Sequence, residues 1–292
     1  MRGMEGISSI LERIKQQNPH LANLKPLTPR ELAQHNVDSF NANEGDKHLL
    51  DGYECSLCRN KGLVSVLRER KDLRGNDVFE EFITPCKCDK IRKSIMRMKR
   101  SGLEELFKKY RFDNYAVEED WQKMIKEKAM NFAKKPAPVF YIGGQSGCGK
   151  THLCTAIARE LLLAGNELRY VLWRDESVKL KSAINDEAKY QSIIEELKRV
   201  DVLYIDDFLK VPIGHDASKP TSADLSLALE IINNRYNANL VTIISSEWTV
   251  IDIIDFDEAL GGRIYEMAGK ENCANIKKDK KKNYRTRDIV EL

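Results

Sequence analysis

The rhythm of hydrophobic positions changes near Pro138. Before it, apolar residues are scattered in small groups among charges; after it, short apolar runs alternate with helical stretches. Runs at 139–143, 168–174, 202–206 and 240–245 read as strands, and 149–164, 190–200 and 222–236 read as helices. Short apolar strands separated by helices predict a parallel sheet covered on both faces, so the fold class expected is α/β.

Upstream the chain divides into three parts. Residues 1–50 are polar and read as an arm, with "SSILERIKQQNPH" offering a short amphipathic helix that Pro19 ends. Residues 51–100 form a cysteine-bounded module in which Val64, Val66, Phe79, Phe82 and Ile83 suggest two short strands. A basic helical stretch continues into a linker, 101–137, that Pro136 and Pro138 break before the large domain, 138–292.

Composition narrows the classes. With 292 residues, 42% hydrophobic and 32% charged, the chain can bury one substantial core and a smaller module. No apolar run approaches the roughly 20 residues of a membrane helix, so a soluble, cytoplasmic protein is expected. A net charge of +3 is too small to argue for nucleic acid by itself. The seven cysteines point to metal binding or burial rather than a disulfide framework.

The stretch "VFYIGGQSGCGKTHL" carries the most specific chemistry. Gly144, Gly149, Lys150 and Thr151 fit G-x-x-x-x-G-K-[ST], between a strand and a helix. Glycines turn successive N–H groups toward one point and the helix adds its positive end, so Gly144, Gln145, Ser146, Gly147, Cys148, Gly149, Lys150, Thr151 and the adjoining His152 are expected to cradle the phosphates of ATP. Lys150 would reach the β- and γ-phosphates, and the Thr151 hydroxyl would hold Mg²⁺. "VLYIDDF" ends a second apolar strand in Asp206 and Asp207. An acidic pair there either caps a turn or serves the metal and the attacking water; beside a phosphate loop the second reading is preferred, with Asp206 on Mg²⁺ and Asp207 as base. Cys148 and Cys154 read as small buried residues.

Taken in order, "GGQSGCGKTHL", "VLYIDDF", "KPTSADLSLALEIINNRY", "VTIISSEW" and "DEALGGRIYEM" resemble the AAA+ ATPases that load replicative helicases, the DnaC/DnaI type, and look most like versions carried by phages and integrated elements of Gram-positive bacteria. The resemblance spans about 138–287. It implies an AAA+ P-loop core and an ATPase. Ser246 falls at the sensor-1 place, where a strand-end cap is the alternative, and Arg263 falls at the arginine finger that reaches a neighbouring subunit's ATP in a homo-oligomer. Arg285 falls in the sensor-2 region. Asp207 stands where many relatives carry Glu, which implies slow hydrolysis, stimulated by DNA or a partner. Arg235 has no assigned role.

Cys55 and Cys58 form a C-x-x-C knuckle, and Cys86 and Cys88 a C-x-C knuckle. Four thiolates complete a tetrahedral zinc shell and leave no position for water, the pattern of a structural site. A segment this short buries little apolar surface, so Zn²⁺ would supply much of its folding energy. His35 and His48 are alternates. A zinc module ahead of an ATPase core again resembles the DnaI-type loaders, where it grips the hexameric helicase.

Basic runs at "IRKSIMRMKRSG" and "IKKDKKKNYRTR" would neutralise phosphates of single-stranded DNA, or serve as solvated faces. The family's DNA contact would fall within "RDESVKLKSAINDEAKYQ", where Tyr190 is the one aromatic platform. The leading expectation is an ATP-dependent loader of a replicative helicase onto single-stranded DNA. Its alternatives are a transposition-helper ATPase and a nucleotide-switched adaptor with negligible hydrolysis.

Overall fold

The computed structural model describes residues 17, 27–100, 104–210 and 219–286. Apart from Gln17, the helix expected at 8–20 lies outside the described residues. The chain groups into two units, Met1–Cys86 and Lys87–Leu292.

In the first unit, helix α1 (Pro29–Ala42) starts at a capping box: the Thr28 hydroxyl accepts from Glu31 N, and the Glu31 carboxylate accepts from Thr28 N at 2.7 Å. The helix buries Ala33 and Val37. Near its end the Asn41 amide brackets the Ser65 backbone, donating to Ser65 O at 2.8 Å and accepting from Ser65 N at 2.9 Å. This part of the expected polar arm is therefore a helix packed on the strands that follow. After the short α2 (His48–Asp51), β1 (Leu63–Lys71) and β2 (Asp77–Pro85) form an antiparallel hairpin running from Leu63↔Pro85 to Lys71↔Asp77. The Asp72 carboxylate ties its turn, accepting from Arg74 N and Asn76 N at 2.8 Å each.

The second unit opens with α3 (Cys88–Arg100), α4 (Glu104–Lys109) and α5 (Asp120–Lys134). There follow β3 (Val139–Gly144), α6 (Lys150–Leu163), β4 (Leu168–Leu172), α7 (Trp173–Ser182), α8 (Glu187–Arg199), β5 (Val202–Asp206), α9 (Ser222–Ala238), β6 (Val241–Ser246), α10 (Val250–Phe256), α11 (Glu258–Asn272) and β7 (Cys273–Ile276). The strands make one parallel sheet in the order β4-β5-β6-β3-β7. Every residue of β3 and of β5 is buried, as expected of strands covered on both faces. The four strands expected from the sequence start and end within two residues of these. From β3 the chain crosses to the sheet's far edge at β4 and returns through β5 to β6. The C-terminal ends of β3, β5 and β6 are thereby brought together, the place where open α/β sheets bind ligands.

Arg235, unassigned from sequence, is fully buried in α9. Its guanidinium donates to Leu197 O (2.9 Å), Val200 O (3.0 Å), Val241 O (2.6 Å) and Thr242 Oγ1 (2.9 Å). It is a structural tie between α8, α9 and the start of β6. Burial lowers its pKa to about 9, which leaves it charged at neutral pH.

Candidate functional site

The loop between β3 and α6 can take its shape only with glycines at its bends. Gly147 and Gly149 have φ of 72° and 91°, and a Cβ on Gly147 would meet Asn283 Oδ1 at 2.0 Å. Lys150, the first residue of α6, is buried, and its ammonium donates to Gly144 O (3.1 Å) and Gln145 O (2.7 Å), inside the loop. Thr151 Oγ1 donates to Asp206 Oδ1 at 3.1 Å, so the helix start and the end of β5 present a hydroxyl and a carboxylate side by side. These are hard oxygen donors of the kind that Mg²⁺ takes alongside phosphates.

Asp206 is the most connected group of the site. Its Oδ1 also accepts from the Ser245 hydroxyl and from Asp207 N (3.1 Å), and its Oδ2 accepts from Tyr170 OH (3.2 Å). Burial raises the Asp206 pKa above the ordinary carboxylate value, and the neighbouring Asp207 adds to the rise, while the Ser245 and Thr151 hydroxyls act against it. A divalent cation beside it would offset this cost.

Asp207 and Leu209 are non-glycine residues in the left-handed region, with φ of 52° and 59°. Each such residue costs on the order of 1 kcal/mol or more, and persists where its surroundings over-determine it. Here the end of β6 does so. Phe208 N donates to Ser245 O (2.8 Å), Ser246 Oγ donates to Phe208 O (2.7 Å), and Trp248 Nε1 donates to Leu209 O (3.1 Å). Ser246, expected at the sensor-1 place, is thus fully buried and committed to the turn that carries Asp207. The β6 hydroxyl that faces Asp206 belongs to Ser245. Ile205 pairs with Ile244, so one step further Asp206 lies beside Ser245 rather than Ser246.

These residues line a cavity of about 500 Å³, in the range of small-molecule sites. Ser146, Gly147, Cys148, Gly149, Lys150, Thr151, His152, Asp206, Asp207 and Arg285 all border it, as do Lys210 and Glu247, which the sequence reading did not single out. Gly144 and Gln145 border a smaller neighbouring hollow. The stretch expected as a linker supplies the far wall, through Leu106, Tyr110, Asn114 and Tyr115. His152 locks that wall in place: its Nε2 contacts Arg111 O (2.8 Å) and Asn114 Oδ1 (3.0 Å), and its ring packs on Tyr110 and Tyr115. Burial holds its pKa below the usual histidine value. Cys148 and Cys154 are buried, and burial pushes both thiols up, away from the reactive thiolate.

Arg263 does not border this cavity; half-buried on α11, it donates to Ala259 O of its own helix at 3.1 Å. Tyr190 is not a free stacking platform. It packs against the core and its hydroxyl donates to Glu230 at 2.6 Å.

A second site forms around the cysteines. The hairpin returns Cys86 to the first knuckle, with Cys86 N donating to Gly62 O at 2.9 Å. The Sγ atoms of Cys55, Cys58, Cys86 and Cys88 all lie within 4.8 Å of one another and are buried. Cys55 and Cys86 Sγ are 3.8 Å apart, close to the edge of a tetrahedron with Zn–S bonds of about 2.3 Å. Gly62 N donates to Cys58 Sγ at 3.3 Å, the outer contact that steadies a thiolate. The donor set fits zinc. Neither His35 nor His48 belongs to the cluster.

Among the described residues no helix is long and apolar enough to cross a membrane. Residues 80–260 match the family model described as IstB-like ATP binding protein. The uncharacterized protein YqaM of Bacillus subtilis (strain 168) is 31% identical over 265 residues, which cover 74% of this chain and 80% of its own. The phage-like element PBSX protein XkdC of the same organism is 31% identical over 227 residues, 74% of this chain and 79% of its own. The replicative helicase loader DnaC of Buchnera aphidicola subsp. Baizongia pistaciae is 35% identical over 114 residues, 37% of this chain and 46% of its own length. With a phosphate loop, an acidic strand end and a family match across most of the sheet, the chain belongs to the IstB-like ATP-binding proteins.

Proposed function

We propose that this chain is an ATP-driven loader that delivers a hexameric replicative helicase to single-stranded DNA. The observation that carries it is the convergence of Lys150, the Thr151 hydroxyl and the Asp206 carboxylate on one cavity, with Thr151 and Asp206 3.1 Å apart. The likeness to a DnaC helicase loader supplies the class of partner. Lys150 and the loop amides bind the phosphates, and Thr151 with Asp206 holds Mg²⁺, which when bound neutralises charge on the phosphates. Asp207 orients the attacking water, and Arg285 closes the cavity on its tail side. Asp207 is one methylene shorter than Glu, which supports slow turnover awaiting a stimulus. Ser246 acts through the turn it pins. Arg263, which does not border its own cavity, is disposed to serve the ATP of a neighbouring subunit. The zinc-bound cysteine module, with the arm before it, grips the helicase.

A second reading, the transposition helper, is favoured by the family description itself. Helicase retained on a single-stranded DNA circle, counted with ATP and with the full chain present, separates the two. A loader raises retention in an ATP-dependent way, and Lys150→Ala does not. Capture of a transposase with no gain in helicase retention selects the second reading. Helicase capture with no ATP turnover, with or without DNA, selects a nucleotide-switched adaptor.

A further inference from the structure

Lys210 ends the turn that carries Asp207 and is unaccounted for by the family motifs. Its ammonium pairs with Asp207 Oδ2 at 3.0 Å and, on its other side, with Glu247 Oε1 at 3.1 Å. All three side chains border the cavity that holds the phosphate loop. The geometry points to Lys210 as a positioning residue for ATP hydrolysis, which with Glu247 as its anchor fixes the carboxylate of Asp207; this rests on the hydrolytic reading above.

The need for such a residue follows from Asp207. A carboxylate used to polarise water must face one direction, and a half-buried aspartate still has several rotamers to choose from. The backbone of the turn is fixed by the end of β6, but that does not fix the side chain. Lys210 does, because its own backbone N–H donates to Asp207 O at 3.0 Å while its ammonium holds Oδ2. The Lys210 stem is thereby folded back over the residue it serves.

Glu247 makes the arrangement rigid. It follows β6 directly, on the same strand end that pins Phe208, so one rigid element anchors both backbone and side chain of the turn. Burial works to raise the Glu247 pKa, yet hydrogen bonding and charge from Lys210 leave it below the usual value, and Lys210 in turn is held more firmly protonated. Glu247 and Lys210 therefore favour each other's charged forms. Lys210 also offsets one of three carboxylates at a cavity built for an anion, where Asp206, Asp207 and Glu247 would otherwise repel the incoming phosphates.

The test uses the full chain and its Lys210→Met, Lys210→Arg, Glu247→Gln and Lys210→Met/Glu247→Gln variants, with ATP turnover at saturation and nucleotide Kd measured side by side. Lys210→Met is expected to lower kcat about tenfold or more while Kd weakens only a few-fold, since positioning acts on the reacting geometry. Lys210→Arg restores most of the rate, and Glu247→Gln lowers kcat a few-fold. The double variant is no slower than Lys210→Met alone, because the two act as one unit. Unchanged kcat in Lys210→Met, a kcat loss matched step for step by Kd, or additive losses in the double variant overturns the proposal and leaves the hydrolytic reading standing. A parent that binds ATP and turns none over overturns both.

Discussion

A single carboxylate shows how function is set against stability at the scale of one residue. Asp206 is 5% exposed and its pKa is raised, chiefly by burial. The folded chain therefore binds this proton more tightly than the unfolded chain does. The group costs stability that grows as pH rises above its unfolded value through its folded one. Asp206→Asn is expected to raise the melting temperature of the nucleotide-free protein at pH 7, and by less as the pH is lowered toward 4. The same change should remove the magnesium-dependent stabilisation by ATP. In the parent that gain is about 2.7 kcal/mol at a hundred times Kd, or roughly 5–10 °C for a domain of this size. A thermal melt series with and without Mg·ATP reads both effects. Arg235 has the opposite balance. Arg235→Met leaves the Leu197, Val200 and Val241 carbonyls without their donor, and should cost about 3–5 kcal/mol in urea unfolding with no specific effect on nucleotide affinity. Motif reading reached Lys150, Thr151 and Asp206 because their spacing carries the chemistry. It missed Ser245, Tyr170, Lys210 and Glu247, whose roles depend on strand register and on a turn with two left-handed residues. Arg235 was unreadable for the same reason: its partners, mostly backbone carbonyls, come from the end of α8 and the start of β6.

At the scale of elements, the cysteine hairpin joins metal to fold. β1 and β2 leave much of their surface exposed, including Leu63, Val66, Phe82 and Ile83, so apolar burial holds the hairpin weakly. Elemental analysis of protein purified without chelator should find one zinc per chain. Cys58→Ser, or removal of the metal, should melt the hairpin and release α1, seen as lost protection in hydrogen exchange across residues 29–85 while the parallel sheet stays protected. Intact hairpin protection in the metal-free protein would contradict this. The strands of the sheet were legible because continuous apolar runs leave little choice. β7 was not, since the four residues of "CANI" are too few to show a period. The start of α1 was written in the sequence as Thr28, Pro29 and Glu31, a capping box with proline in the first turn, and was hidden by the polar composition around it. The linker's contribution to the cavity was hidden too, because Tyr110, Tyr115 and His152 meet only through tertiary packing.

At the scale of the molecule, the proposed ATP site of one subunit needs a residue from another. Arg263 is half-buried and does not border the cavity of its own chain. Arg263→Ala should retain nucleotide binding, lose ten- to a thousandfold of the stimulated turnover, and leave the single subunit folded, as expected of a residue that acts on a neighbour's nucleotide. Mixing Arg263→Ala with Lys150→Ala chains should restore part of the rate, because each supplies what the other lacks; no recovery in the mixture would contradict action between subunits. All of these effects presuppose that ATP and its metal occupy the cavity between the phosphate loop and Asp206. The most direct test is an equilibrium titration of a fluorescent ATP analogue against the parent, Lys150→Ala and Asp206→Asn, with and without Mg²⁺. The account predicts saturable binding by the parent that Mg²⁺ strengthens, a loss of a hundredfold or more in Lys150→Ala, and binding by Asp206→Asn that no longer responds to Mg²⁺. Equal affinity in the parent and Lys150→Ala would contradict it.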